Sequence, residues 1–415
     1  MTVPSTHELI RVFGRIGLLS FGGPAAQIAL MHRELVETRD WLTEQGFLRA
    51  LSLCMLLPGP EAMQLATYAG WRLHGIKGGL IAGLLFVVPG ALIILLLALG
   101  YALYGQVPLV QAAFVGVKAA VIIIVLQALL KVARKALTTH HAWILASAAF
   151  LALFVFGLPF PLIIVGAATY GAFLRNTSAT PLTISTQTAP STLITLVIWG
   201  SLWVLPIAVL WLTDQTFLTQ IALFFSRLAI VTFGGAYAVL AYMTQTVVQD
   251  FGWITTAQMM DALGLAETTP GPLILVTEFV ALMAGFAQGG IGLALSAGAV
   301  ALWVTFTPCF LWIFLAGPYL DVISAKPRLS SALSAITASV VGVILNLAIW
   351  FAIHLLFAQI STANSLAVPV PEITSLDLKA VSLTILAAGL LLGLKRGMVE
   401  TLGIMALAGL MVSLI

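Results

Sequence analysis

Charge is what this sequence has least of. Lys, Arg, Asp and Glu together make up 8% of its 415 residues, where soluble proteins carry about 25%, and this excludes a soluble globular chain. The basic residues are scattered and the net charge is only +3, so no nucleic-acid partner is expected. Cysteine is nearly absent as well. Cys54 and Cys309 both lie inside apolar segments, which excludes a disulfide framework and a four-thiolate metal site. H-E-x-x-H and G-x-S-x-G are both missing, so there is no recognisable metallopeptidase or serine hydrolase centre, and no G-x-x-x-x-G-K-[ST] loop is present to hold ATP. Neither an enzyme nor a cofactor is expected. The opening "MTVPSTHELIRVFGRIG" lacks a basic stretch followed by an apolar core and a small-residue cleavage site, so no removable signal peptide is expected.

What is present is apolar. Hydrophobic residues make up 61% of the chain, and runs long enough to cross a bilayer core of roughly 30 Å recur along its whole length. The lipid bilayer is the expected surrounding. An internal repeat organises these runs. "FGRIGLLSFGGPAAQIALM" (residues 13–31) aligns with "FSRLAIVTFGGAYAVLAYM" (residues 225–243) at a constant offset of 212 residues from Phe21 to Phe233. That register continues through Trp41 and Trp253 to a PGP motif at Pro58–Pro60 and another at Pro270–Pro272. Pro89 and Pro308 then align at an offset of 219. The reading is a tandem duplication, with repeats at 8–175 and 216–415 joined by a linker, 176–215, that carries one extra spanning helix at about 191–211.

Basic residues suggest how the repeats are oriented. Arg33, Arg39 and Arg49 fall in a loop whose counterpart, residues 243–261, has no Lys or Arg. Arg72 and Lys77, and then Lys131, Arg134 and Lys135, likewise face uncharged stretches of the second repeat. Lys326 and Arg328 face an uncharged stretch of the first. Basic loops remain cytoplasmic, so the two repeats should be inverted in the membrane, an arrangement typical of secondary transporters.

This topology bears on "LLPGPEAMQLATYAGW", residues 56–71. If the basic loops on both sides are cytoplasmic, the segment cannot cross once, and it has the length of two half-helices broken at PGP. Proline ends the first half, glycine permits the reversal, and the second proline suits the first turn of the next half. The same logic applies at Phe21, Gly22 and Gly23, and at Phe233, Gly234 and Gly235. Non-helical backbone at that depth must be buried in protein or line a cavity. The fold expected is therefore all-α and polytopic, with two inverted repeats, about nine full crossings and four re-entrant segments. Ordinary proline-kinked helices, in ten to thirteen simple spans, are the alternative.

Helix N-termini offer unbonded N–H groups and partial positive charge, and so favour an anion. The candidate binding set is Phe21, Gly22, Gly23, Pro58, Gly59, Pro60, Gln64, Phe233, Gly234, Gly235, Pro270, Gly271 and Pro272. Arg15 and Arg227, six residues before each FGG phenylalanine, are candidate counter-charges, with snorkelling to a membrane surface as the alternative. Glu61, Glu267 and Glu278 flank the two PGP motifs and are candidates for proton coupling, because a buried carboxyl can shed its charge by taking up a proton. For Glu61 an acidic helix-capping role weighs equally. His32 and Arg33 fit a solvated vestibule or loop face, while Trp41 and Trp253 fit interfacial anchors.

The segments "FGGPAAQIALMHRELVETRDWLTEQGF", "LLPGPEAMQLATYAGWRLHGIKGGLIAG" and "LGLAETTPGPLILVTEFVA" resemble the signature segments of the chromate ion transporter family, in its long-chain, two-domain form. The resemblance covers essentially the whole chain. It implies a bacterial inner-membrane carrier that exports chromate and confers chromate resistance, with sulfate transport known among some relatives. Glu278 departs from it, standing where the resemblance implies an uncharged residue. The substrate class is thus an oxyanion, chromate or sulfate. An anion channel of the same architecture is the alternative, and a homodimer is compatible with the sequence.

Overall fold

The computed structural model describes residues 4–173, 192–233, 236–320, 323, 326–362 and 368–414. In chain order the helices are α1 (Thr6–Leu19), α2 (Gly23–His32), α3 (Glu44–Leu56), α4 (Glu61–Tyr104), α5 (Pro108–Ala136), α6 (His140–Phe154) and α7 (Phe160–Phe173). The series continues with α8 (Thr192–Leu212), α9 (Thr216–Val231), α10 (Ala236–Thr244), α11 (Thr256–Thr268), α12 (Val276–Ala316) and α13 (Pro327–Leu356). It ends with α14 (Leu378–Ala388) and α15 (Met398–Ser413). The strands described are β1 (Ile360–Thr362) and β2 (Pro369–Pro371), paired antiparallel with Ile360 opposite Pro371. Among the described residues five helical stretches are long and apolar enough to span a membrane. The chain is an all-α polytopic membrane protein.

Contacts divide the chain into two compact units. Unit 1 comprises Met1–Ala98, Arg175–Ala236 and Thr269–Ser330, and unit 2 comprises Leu99–Leu174, Tyr237–Thr268 and Ser331–Ile415. Each takes segments from both sequence halves. Within unit 1, α1 is amphipathic. Leu9, Val12, Phe13 and Ile16 form its buried stripe at helical spacing, and the Ser5 side chain caps its start by accepting from the Glu8 N–H. α12 packs on α8 and α9. α8 is apolar on every face and buries no residue, as a lipid-facing helix does. It is tethered to its neighbours where Trp303 Nε1 donates to Leu202 O at 2.8 Å and Trp203 Nε1 donates to Ser226 Oγ at 3.2 Å.

Two of the long helices are hairpins. α4 loses helical geometry at His74 and Gly75. The arms on either side lie so close that a Cβ on Gly70 would sit 2.2 Å from Gly78 O. α12 breaks in the same way at Gly289 and Gly290, and a Cβ on Gly285 would lie 2.7 Å from Leu293 O. The first arms, residues 61–73 and 276–288, are each about 20 Å long and too short to span a bilayer. The stretch from α3 through PGP to the first arm of α4 is therefore two short helices joined at a break.

In unit 2, α5 packs against α11, α14 and α15. Lipid is as apolar as leucine, so close backbone approach has to supply the attraction that water supplies elsewhere. Gly116 and Gly409 provide it: a Cβ on Gly116 would lie 1.7 Å from Met405 O.

The loops after α2 and α10 are built alike. Each begins with a π-helical turn, Arg33–Glu37 and Gln245–Asp250. Each is closed by a tryptophan amide, Trp41 N donating to Leu35 O and Trp253 N to Val247 O, both at 2.9 Å. Trp41 and Trp253 are buried, at 3% and 9% exposure. They therefore brace these loops rather than lying on an interfacial surface, because closing the turn carries their rings inward.

Candidate functional site

The four breaks are joined in two crossed pairs, all within unit 1. α1 ends at Leu19, and Ser20 turns its hydroxyl back onto Ile16 O. Thr232 does the same with Leu228 O after α9. The carbonyls of these two residues, each one position before an FGG phenylalanine, accept from the PGP glycine of the other half. Gly271 N donates to Ser20 O at 3.0 Å, and Gly59 N donates to Thr232 O at 2.9 Å. Each break thus supplies what the other half's break lacks, and buried backbone groups that have left their helices regain partners.

Side chains reinforce both crossings. Gln27 Nε2 donates to Gly271 O at 2.6 Å and to Ser20 O at 3.2 Å. Gln64 Nε2 donates to Pro58 O at 2.7 Å. Both glutamine Oε1 atoms are buried without a protein partner. Glycine is required at the two PGP centres, where φ is +118° at Gly59 and +90° at Gly271. Space is short as well. A Cβ on Gly59 would meet Gln64 Nε2 at 2.8 Å and Cys309 Sγ at 3.0 Å, and a Cβ on Gly90 would lie 2.2 Å from Pro270 O.

The prolines that close the motifs stand one position earlier than the first helical turn. Pro60 O accepts from Gln64 N and Pro272 O from Leu275 N, so each proline is the capping residue. Past Pro272 the chain makes a single 3₁₀ turn, Leu273–Leu275, before α12. The Gly59 and Gly271 amides are committed to the crossings. Donors left without an intrahelical acceptor lie at the starts of α2 and α4 and at the start of the 3₁₀ turn Leu273–Leu275; the Val276 N–H at the start of α12 is already donated into that turn, to Leu273 O and Ile274 O.

The other expected site residues are placed as follows. Phe21 is 39% exposed, Gly22 and Gly23 open α2 with φ of +84° and +76°, and Phe233 is half-buried. Gly234 and Gly235 lie outside the described residues. Arg15 and Arg227 are both exposed. Arg15 lies on the polar side of α1, 3.8 Å from Glu34, so neither arginine is buried against a break. Glu61 opens α4 and is half-buried. Glu278 is buried in the first turn of α12, its Oε2 without a hydrogen-bond partner. Glu267 is buried in unit 2, where the Tyr237 hydroxyl donates to it.

Ser20, Thr232 and Gln27 were not singled out in the sequence, although a hydroxyl residue precedes FGG in both halves. Beyond the first FGG, a charged loop is stapled by His32, whose Nε2 lies 2.7 Å from Glu44 Oε2 and whose Nδ1 lies 3.1 Å from Glu37 Oε1. The hydrogen bond to Glu44 is the main reason its pKa is raised, against the opposing effect of partial burial. Glu34 takes up both Arg39 and, more loosely, Arg15. Among the described residues no group of three or more His, Cys, Asp or Glu could hold a metal ion.

Residues 7–172 and 219–413 match the family profile described as Chromate transporter. A probable chromate transport protein of Synechococcus elongatus is 33% identical over 355 residues, 82% of this chain and 83% of the relative. The chromate transport protein of Pseudomonas aeruginosa is 32% identical over 351 residues, 82% of this chain and 79% of the relative. That of Cupriavidus metallidurans is 29% identical over 358 residues, 81% of this chain and 80% of the relative. No solved structure gives a significant match. The family is one of transporters and not of enzymes. With both halves matched, this multi-pass membrane protein belongs to the chromate transporter family.

Proposed function

We propose that the protein is a secondary carrier that exports chromate from the bacterial cytoplasm, working by alternating access in the cytoplasmic membrane. The observation that carries the reading is the crossed pairing of Gly59 with Thr232 and of Gly271 with Ser20. It holds broken backbone together inside the unit that also contains the buried Glu278, and broken helices of this kind are where carriers bind their substrates. The names of the relatives supply the substrate.

In this reading the repeats at 8–175 and 216–415 are inverted about the helix near 191–211. The dianion lies against the helix starts that follow FGG and PGP. Phe21, Gly22, Gly23, Pro60, Gln64, Phe233, Gly234, Gly235 and Pro272 shape its surroundings, while Pro58, Gly59, Pro270 and Gly271 hold the crossings. Arg15 and Arg227 gather anions at the surface. Voltage alone favours exit from a negative cytoplasm, by about 2.3 kcal/mol per charge at 100 mV. Glu278, with Glu61 and Glu267, adds a proton-dependent component, because protonation removes a charge that repels the dianion.

The test is uptake of radiolabelled chromate into inverted vesicles energised with respiratory substrate, with sulfate as competitor and a protonophore as control. Energy-dependent accumulation supports export, and inhibition by sulfate extends the substrate class to both oxyanions. Relaxation of a gradient without accumulation would make the protein a channel. No movement at all, in vesicles that contain the protein and hold a gradient, would remove the proposal.

A further inference from the structure

Unit 2 contains a second polar site that the breaks do not explain. Tyr101 at the end of α4, Lys118 in α5 and Asp261 in α11 line one cavity of about 530 Å³, together with Gln106, Gln111 and Gln258. The Tyr101 hydroxyl donates to Asp261 Oδ2 at 2.7 Å, and the ring is held edge-on to Phe114 with centroids 5.2 Å apart. Lys118 Nζ lies 3.8 Å from Asp261 Oδ1, too far for a hydrogen bond. Asp261 is 3% exposed, and its Oδ1 has no hydrogen-bond partner.

An ammonium on a helix long and apolar enough to span a membrane, facing a buried carboxylate, is costly and marks function by default. The two form a loose ion pair at the wall of a cavity, with the Asp261 Oδ1 atom accepting no hydrogen bond. Among the described residues Lys118 is the only Lys or Arg lining that cavity. The loops that frame it, residues 105–108 and 255–258, contain no Lys or Arg and so fall on the outward side by the positive-inside rule. A dianion leaving the protein there meets a single cation among neutral amide donors. We propose that Lys118 is an oxyanion-binding residue of the outward half of the pathway, and that Asp261 is its built-in competitor. Arrival of the anion opens the Lys118–Asp261 pair, and return of the carboxylate to the ammonium ejects the anion. Tyr101 positions the carboxylate for that return. This assignment rests on the reading of the protein as an oxyanion carrier.

Equilibrium binding of radiolabelled chromate to the purified full chain in detergent tests it, with K118Q, K118R, D261N and the double variant K118Q/D261N. K118Q is expected to bind at least about tenfold more weakly, as loss of one charge-assisted contact implies. K118R is expected to retain binding, and D261N to bind about threefold or more tightly while releasing the anion more slowly. The double variant removes both charges, so a failure of K118Q to fold leaves the lysine testable, and it should bind as weakly as K118Q. Binding by K118Q or the double variant within twofold of the parent, or weaker binding by D261N, would overturn the assignment and leave the carrier reading intact. If the parent protein neither binds nor moves chromate, the carrier reading falls and this assignment with it.

Discussion

The two PGP breaks share one backbone and differ in almost everything attached to it. Both glycines have positive φ, and both donate to the residue before the opposite FGG. Yet Pro58 and Pro60 are only half-buried, and that break leads directly into α4 through Glu61. Pro270, Gly271 and Pro272 are all buried, pressed against Gly90, and lead through a 3₁₀ turn to the buried Glu278. The loops beyond the FGG motifs diverge in the same way. His32, Glu37 and Glu44 staple the first, while the aligned positions of the second, Thr244, Gln249 and Thr256, do not titrate. The crossing is common to both breaks, and the groups around it differ. The second break is a packing node that carries a carboxyl, and the first is the looser face.

The largest asymmetry should appear in packing. Gly90→Ala forces a Cβ against the Pro270 carbonyl, where backbone cannot give way cheaply, and is expected to cost about 3 kcal/mol or to abolish folding. Its aligned partner Cys309 already carries a side chain, so Cys309→Ala should be tolerated. Thermal melting followed by size-exclusion recovery compares the two. Next comes coupling. Glu278→Gln is expected to remove most of the protonophore-sensitive part of chromate uptake and leave the voltage-driven part, while Glu61→Gln changes the rate modestly. Equal effects from the two would erase the distinction between the breaks. Smaller still, Gln27→Ala leaves the buried Gly271 carbonyl without its donor and should cost about 1–3 kcal/mol, against roughly 1 kcal/mol for Gln64→Ala.

The smallest effect concerns pH. The pKa of His32 is raised in the folded chain. Its staple therefore contributes fully below the ordinary histidine range near about 6.5 and is lost as pH rises through the higher folded value. For so exposed a pair this is worth less than about 1 kcal/mol. Amide protection factors, with the intrinsic pH dependence of exchange divided out, should rise at acid pH in residues 31–49 of the parent but not of His32→Ala, while those of residues 243–261 respond to neither change.

The breaks were legible because proline and glycine inside an apolar run have few other uses. The division into two short helices at PGP followed from length and loop charge, whereas the hairpin turns at His74–Gly75 and Gly289–Gly290 have no signal in that reading. The crossing itself was invisible: a backbone N–H and a carbonyl far apart in sequence leave no residue signature beyond the glycines and the Ser20 and Thr232 hydroxyls. The capping role of Pro60 and Pro272 was missed by one position, since a proline before a helix and one inside its first turn read alike. Arg15 sits in an apolar stretch and reads either as a counter-charge or as a snorkelling cation; the periodicity of Leu9, Val12, Phe13 and Ile16 places it on the opposite, exposed face. Lys118 and Asp261 lie on helices from different halves, and only their juxtaposition gives either a meaning.

Thiol labelling tests most directly whether the breaks are re-entrant and the halves inverted. Cys54 and Cys309 are buried, so single cysteines placed at the exposed Gln45, Lys77, Ala257 and Gln288 can be probed with a membrane-impermeant reagent in right-side-out and inverted vesicles. The account predicts that Gln45→Cys and Lys77→Cys react from the cytoplasmic face alone, and Ala257→Cys and Gln288→Cys from the outer face alone. Labelling of the Gln45 and Lys77 positions from opposite faces would make the segment through Pro58–Pro60 a single kinked span and contradict the account.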